Sequence, residues 1–453
     1  MVSQPSALLT DLYQLNMLQA YLDHGETGTA VFEFFVRRLP ARRQFLMAAG
    51  LEQALDFLEE SRFSPDDIDW LRATGRFRPN LIDYLAEFRF RGDVHAMPEG
   101  TVFFADEPIL RVTANLPEAQ LVETRLINIL HYQTLIASKA ARFVLLAPGR
   151  QLVDFGLRRA HGAEAGLMAA RAAYIAGFSG TATLEAEKVF GIPTFGTMAH
   201  SYIEAHDRES EAFERFALSR PDNLTLLLDT YDCAAAARKV VALAPRLRER
   251  GIAIGAVRID SGDLDALARQ VRGILDEGGL SHVAIFASGG LDEEHVAALL
   301  ARGAPIGGFG IGTSLTVSAD APALDCAYKL QEYAGRARRK QSAGKATWPG
   351  RKQVWRMEAD GRMSGDTIAT EEERQPGTPL IAPVMTGGRR PARPALADIR
   401  AHAAGELRRL PEPLHRLGAE PSYPVGVSGP LRALAARVDA LLARDGRSEG
   451  AAS

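Results

Sequence analysis

Apolar positions recur along this chain in two rhythms, one helical and one of short runs. From Asp11 to Asp23 they fall at Leu12, Leu15, Leu18 and Leu22, the spacing of one helix face, with Thr10 placed to cap it. Val31 to Val36 is an apolar run broken only by Glu33 and predicts a strand, and Gly50 to Phe57 opens another helix. Residues 91–115 hold short apolar runs interrupted by Gly, Pro and Asn, the mark of turn-rich β structure. Leu121 to Phe143 returns to helical spacing through Leu121, Ile127, Leu130, Leu135 and Ile136.

From about residue 150 the pattern becomes strand, then helix, repeatedly. Gln151 to Asp154 predicts a strand and Ala163 to Ala176 an alanine-rich helix; a helix over 184–190 precedes a short segment from Pro193 to Gly196. Further strands are predicted at Leu224–Asp229, Ile252–Asp260, His282–Ser288 and Pro305–Phe309. The helices between them span Ala234–Arg248, Leu264–Leu275 and Glu293–Ala301. Such alternation argues for a parallel β/α architecture. Strand ends at Asp229, Asp260, Ser288 and Gly310 are 31, 28 and 22 residues apart, the length of units that close a barrel. Asp154, Asp229, Asp260 and Ser288 all stand at the C-terminal tips of apolar strands, where barrel active sites are built.

After residue 325 the pattern turns antiparallel. Lys352 to Met357, Asp360-Gly361 and the segment from Arg362 predict a hairpin, because Asp-Gly suits a turn needing positive φ. Residues 375–430 are rich in proline and basic residues and predict an irregular surface layer; Leu431 to Ala443 predicts a short helix and 446–453 a disordered tail. The expected organisation is an N-terminal α+β domain over 1–115, completed by strands from about 325–390, a β/α catalytic domain over 116–325, and a C-terminal segment over 326–453.

Composition narrows the class. The chain has 453 residues, long enough for a large core without disulfide or metal staples. Its 53 Lys and Arg against 56 Asp and Glu leave a formal net charge of −3, which gives no support to nucleic-acid or membrane partners. Cys233 and Cys326 make neither a disulfide framework nor a zinc spacing, and the N-terminus lacks the basic-then-apolar pattern of a signal peptide. A cytoplasmic protein with small-molecule substrates is expected.

Arg258-Ile-Asp260-Ser261-Gly262-Asp263 ends one strand and opens a helix. A glycine there lets backbone N–H groups approach a phosphate, the helix dipole favours an anion, and Asp260 and Asp263 suit Mg²⁺ or ribose hydroxyls. The same segment reads equally as a helix cap without a ligand. Ser288-Gly289-Gly290 and Gly308-Phe309-Gly310-Ile311-Gly312-Thr313 end the next two strands, and tandem glycine-rich turns at neighbouring tips suit a phosphate cradle. Phe155 offers an aromatic face beside Arg158 and Arg159, whose guanidinium groups suit a carboxylate or phosphate; the alternative is ordinary core and a solvated helix start. His200, in Gly196-Thr197-Met198-Ala199-His200-Ser201, can act as acid, base or nucleophile, although most lone histidines are structural.

Five motifs in this order resemble the nicotinate phosphoribosyltransferase family: Thr10-Asp-Leu-Tyr-Gln14, Glu123-Thr124 through His131-Tyr-Gln-Thr134, Asp154-Phe-Gly-Leu-Arg-Arg159, Gly196-Thr-Met-Ala-His-Ser201, and Arg258 to Asp263. The resemblance runs from about residue 8 to 390. It implies an irregular β/α barrel joined to a mixed α+β domain built from N-terminal and later segments. It further implies transfer of a phosphoribosyl group from phosphoribosyl pyrophosphate to nicotinate, with Mg²⁺, assisted by ATP through transient phosphorylation of His200. By the same resemblance Phe155 stacks on the pyridine ring, with Tyr13 of a neighbouring subunit on its other face in a homodimer. Arg258, Thr197 and Arg158 serve nicotinate, and Gly310, Gly312 and Thr313 hold the 5′-phosphate. Asp260, Ser261, Gly262 and Asp263, with Ser288, Gly289 and Gly290, face the ribose, pyrophosphate and metal.

Two positions depart from the pattern of many relatives: Thr181-Ala182-Thr183 replaces Thr-Ser-Asn, and Gly290 replaces an acidic residue. The alternatives are a transferase acting on nicotinamide or quinolinate, or a non-catalytic relative that binds phosphorylated ligands. A sugar-phosphate aldolase or isomerase needs a lysine or an acid/base pair at the strand tips, and no lysine stands at those identified.

Overall fold

In the computed structural model, which describes residues 6–342, 344–418 and 423–450 (side chains to 444), the chain forms two compact units. One comprises 1–138 with 323–453, the other 139–322.

The first unit is built on a six-stranded antiparallel sheet. Its strands run in the order Arg336–Ala337, Cys326–Tyr333, Thr29–Val36, Pro108–Asn115, Asp93–Ala96 and Ala382–Met385. Sequence-distant strands are neighbours because Thr29–Val36 is buried along nearly its whole length and needs a partner on each edge. The first helix, Leu12–Asp23, packs Leu15 and Leu18 into a cluster with Ile68, Leu71, Leu81 and Leu85. Its N-cap is Asp11 rather than Thr10, and Asp11 spends its carboxylate on the Thr124 hydroxyl at 2.9 Å instead of on the helix. The hairpin Lys352–Ala359 and Arg362–Thr370 turns at Asp360-Gly361 with φ of 51° and 72°, the geometry expected of Asp-Gly.

Two expectations for the C-terminal segment are corrected. Residues 375–430 contain a 14-residue helix, Leu396–Arg409, with Ile399, Ala403, Glu406 and Leu407 buried. Its inner face escapes a hydrophobicity reading because it includes a carboxylate: Glu406 accepts from Arg356 at 2.8 Å, itself buried and paired with Asp366. The last helix runs Gly429–Gly450, into the stretch expected to be disordered, while 451–453 lie outside the described residues.

The second unit is a six-stranded, wholly parallel sheet with helical crossovers, half of a barrel in form. Its order is Gly180–Thr181, Gln151–Asp154, Gly308–Ile311, Ala284–Ser288, Ile254–Ile259 and Leu224–Leu227. Buried apolar runs such as Leu226–Leu227–Leu228 reflect cover on both faces of the sheet. Register decides what the sheet presents at its C-terminal edge: Thr181 pairs with Asp154, Asp154 with Ile311, Gly310 with Ser288, and Ala287 with Ile259. The polar tips are therefore level. The last strand lies at Gly308–Ile311 rather than 305–309. Its glycines, which a strand propensity penalises, are demanded by neighbours: a Cβ on Gly308 would come within 2.8 Å of the Phe286 ring, and one on Gly310 within 2.5 Å of Phe155. No helix among the described residues is long and apolar enough to cross a membrane.

Candidate active site

Arg258 organises the level strand tips. Rising from Ile254–Ile259 with its side chain only 15% exposed, it donates from Nε to Ser288 Oγ at 2.8 Å. It also donates from one terminal nitrogen to Thr197 Oγ1 at 3.1 Å and from the other to Asp260 Oδ1 at 2.7 Å. Its guanidinium carbon lies 5.4 Å from the centre of the Phe155 ring, so a cation sits beside an aromatic face. Ser288 also donates to Asp260 Oδ1. Burial alone would raise the Asp260 carboxyl, but the Ser288 and Arg258 hydrogen bonds and the Arg258 charge outweigh it and hold Asp260 below the usual carboxylate range.

Asp229 binds a second group of residues together. One oxygen lies 3.3 Å from His200 Nε2; the other accepts from the Asp260 backbone N–H at 3.1 Å and the Ser261 hydroxyl at 2.6 Å. The Asp229 side chain is buried while His200 is 40% exposed, so the imidazole is oriented from below and open above. In the sequence Asp229 is marked only by its place at a strand tip.

Phe155 is held by its own turn. Its N–H donates to Ile311 O at 2.8 Å, and the preceding Asp154 carboxylate accepts from Gly156 N–H at 2.8 Å and Thr181 Oγ1 at 2.7 Å. Thr181, one of the motif positions in question, thus has a structural partner, whereas the hydroxyl of buried Thr183 has none among the described residues. Burial pushes the Asp154 carboxyl up to about 6, against the lowering effect of those two bonds. Because the folded value lies above the unfolded one, this group's stabilisation is complete below about pH 4 and is lost as pH rises through about 6. Asn can keep both partners, its oxygen to Gly156 and its amide to Thr181. The melting temperature of Asp154→Asn should therefore gain on the unsubstituted protein between pH 4 and 7, by up to roughly 3 kcal/mol of stability. A difference constant with pH rejects this account.

The glycine turns close the site. Gly289 has φ 92° and lies so near the Asp260 carbonyl oxygen that a Cβ would come within 1.8 Å of it; Gly290 has φ 64° with open space beside it. Gly262 has φ 80°, and Asp263 caps the helix Leu264–Glu277 by accepting from Asp265 and Ala266 N–H through Oδ1. Capping is thus present; among the described residues Oδ2 of Asp263 and of Asp260 accepts no hydrogen bond. Gly312 abuts the Phe155 carbonyl and Thr313 begins the helix Thr313–Thr316. Arg158 is exposed on the turn Leu157–Arg159, outside the contacts that join the other residues. Tyr13 belongs to the other unit and is 47% exposed.

Comparison with known proteins places this arrangement in a lineage. The nicotinate phosphoribosyltransferase N-terminal domain matches residues 8–131, and the nicotinate phosphoribosyltransferase family matches residues 150–345. A Mycobacterium tuberculosis protein, nicotinate phosphoribosyltransferase pncB2, is 51% identical over 425 residues, covering 93% of this chain and 91% of its own. A Bacillus subtilis nicotinate phosphoribosyltransferase is 39% identical over 378 residues, covering 81% and 77%. The crystal structure of human nicotinic acid phosphoribosyltransferase matches with a TM-score of 0.85 at 29% identity, over 96% of this chain and 100% of that one. The chain belongs to the nicotinate phosphoribosyltransferase family.

Proposed function

We propose that this protein transfers a phosphoribosyl group from phosphoribosyl pyrophosphate to nicotinate, forming nicotinate mononucleotide and pyrophosphate in NAD biosynthesis. The observation that carries the reading is Arg258, a partly buried cation fixed beside the face of Phe155 and bonded to the ribose-side residues Asp260 and Ser288. A flat anionic ring laid on Phe155 brings its carboxylate to Arg258 and Thr197. Its ring nitrogen, unprotonated at neutral pH, directs its lone pair at the ribose C1 carbon. As the new N–C1 bond forms, the C1–oxygen bond breaks and pyrophosphate leaves with the electron pair, so positive charge gathers on the sugar. The ionised Asp260 beside it stabilises that charge, and the glycine turns at 288–290 and 310–313 hold the phosphates. No general base is needed; positioning does most of the catalysis.

Asp260 and Asp263 suit Mg²⁺, which usually takes one or two carboxylates with substrate phosphates and water, and each keeps an oxygen outside the hydrogen bonds described above. Held there, the ion would supply positive charge beside the departing pyrophosphate. ATP is the proposed co-substrate, phosphorylating His200, whose exposed imidazole is steadied by Asp229. His200→Ala should keep basal transfer and lose ATP stimulation; an ATP response equal to the unsubstituted enzyme's rejects the phosphohistidine. Tyr13 is proposed to complete the nicotinate site of a partner subunit, so activity should fall on dilution in step with dissociation of a dimer. The enzyme is assigned to the cytoplasm, where its two free cysteines stay reduced.

The deciding assay supplies nicotinate, phosphoribosyl pyrophosphate and Mg²⁺, with and without ATP, and follows nicotinate mononucleotide. Nicotinamide lacks the charge that Arg258 would meet, so comparable turnover of nicotinamide refutes the assignment. Ligand-induced thermal stabilisation without pyrophosphate release would mark a binding protein instead.

A further inference from the structure

We infer that Lys139 is a positioning residue for phosphoribosyl pyrophosphate, fixing the two glycine turns relative to each other from beneath. The inference rests on the function proposed above. Lys139 lies in the helix Glu123–Leu146 with its side chain 1% exposed. Its ammonium donates to both oxygens of Glu293, at 3.0 and 2.8 Å, and to Asp320 Oδ1 at 2.7 Å. Arg142, one turn further on, donates to the other Asp320 oxygen at 2.6 Å and lies 3.3 Å from Glu293. Two cations and two carboxylates thus form a nearly buried quartet.

The two carboxylates follow the two phosphate turns along the chain, Glu293 three residues after Gly290 and Asp320 eight residues after Gly312. Glu293 is the first residue of the helix that follows Ser288-Gly289-Gly290. Asp320 lies just beyond the helix Thr313–Thr316 that follows Gly310-Ile311-Gly312. The turns also touch directly, through Ser314 Oγ donating to Leu291 O at 2.6 Å. Each turn leaves its own strand, so strand register fixes only where it starts; the quartet fixes the chain that follows it. Apolar residues of similar volume commonly stabilise as well as a buried ion cluster does. What charge adds is directional: Lys139 is satisfied only when both turns deliver their carboxylates to one point. Phosphate oxygens gripped by both turns then meet backbone N–H groups at a set spacing.

Steady-state kinetics with each substrate varied in turn tests this. Lys139→Met should raise KM for phosphoribosyl pyrophosphate by about tenfold or more, with KM for nicotinate and kcat nearly unchanged. Met alone leaves two carboxylates facing one guanidinium, so the variant is paired with Lys139→Met/Glu293→Gln, which retains the neutral Arg142–Asp320 pair. The double variant should recover thermal stability while KM for phosphoribosyl pyrophosphate stays high. Recovery of both together, or a parallel fall in every kinetic constant with folded fraction, overturns the inference and leaves a purely structural quartet. An unsubstituted enzyme that turns over neither substrate would sink the proposed function itself, a result distinguishable from either.

Discussion

Arg258→Ala is expected to lower kcat/KM by roughly a thousandfold, the largest loss of any single side chain in the site. Removing one preorganised donor beside a reacting centre typically costs about a hundred- to a thousandfold in rate, or about 2.7–4 kcal/mol of barrier. Three partners lose their donor at once: Ser288, Thr197 and Asp260. Asp260 suffers most, because burial is the largest influence on its carboxyl and would then be opposed mainly by Ser288. Asp260 then ionises only at higher pH, so the acid limb of the rate profile should move to higher pH. On the proposed binding mode nicotinate loses a partner as well, so its KM should rise with the fall in kcat. Arg258→Lys restores charge but not the planar fork that reaches three acceptors, so it should recover little. Kinetics on variants with matched melting curves check this. A loss within tenfold for Ala, or full recovery with Lys, would reject Arg258 as the organiser.

What the sequence revealed and what it hid follow from how local each determinant is. Strand–helix alternation after residue 150 is written in apolar runs, because a strand covered on both faces has little freedom of composition. The Ala163–Ala176 and Glu293–Ala301 helices therefore lie where periodicity predicts them. The Gly308–Ile311 strand does not, since its glycines answer to rings of Phe286 and Phe155 from elsewhere in the chain. Helix Leu396–Arg409 is hidden for a related reason: Glu406 is buried because Arg356, 50 residues away, and the Val102 N–H wait for it.

The site shows the same division. Arg258, Asp260, Ser288 and Phe155 stand at strand tips and could be read as chemistry-bearing residues one by one. Their mutual geometry depends on sheet order, which puts Gly308–Ile311 between Gln151–Asp154 and Ala284–Ser288 although it follows both in sequence. Asp229 shows the division most clearly: its place at a strand tip is legible, its partners are not. Its roles toward His200, Asp260 and Ser261 span 29 to 32 residues, and no short spacing encodes them. The Lys139 quartet spans 154 and 181 residues and left no pattern at all.

Gly289→Ala should raise KM for phosphoribosyl pyrophosphate by about a hundredfold, while the neighbouring Gly290→Ala stays within about tenfold. Both glycines have positive φ, 92° and 64°, so each substitution carries backbone strain of roughly 1–3 kcal/mol. Only Gly289 is also hemmed in. Its Cβ would approach the Asp260 carbonyl oxygen to 1.8 Å, and a backbone atom cannot swing aside as a side-chain tip can. Either the 288–290 turn lifts or the Asp260 segment is pushed back. In the first case Ser288 leaves Arg258 and Asp260; in the second Asp260 and Ser261 shift against Asp229. Both outcomes separate the ribose-facing carboxylate from the phosphate turn, by a distance comparable to the 1 Å at which oriented catalysis collapses. Around Gly290 the space is open, so alanine meets strain but no clash, and Gly290→Asp should be milder still because Asp tolerates positive φ better. Equal losses at 289 and 290 would mean that conformational strain alone governs the turn, and that its packing against Asp260 plays no part in holding the substrate.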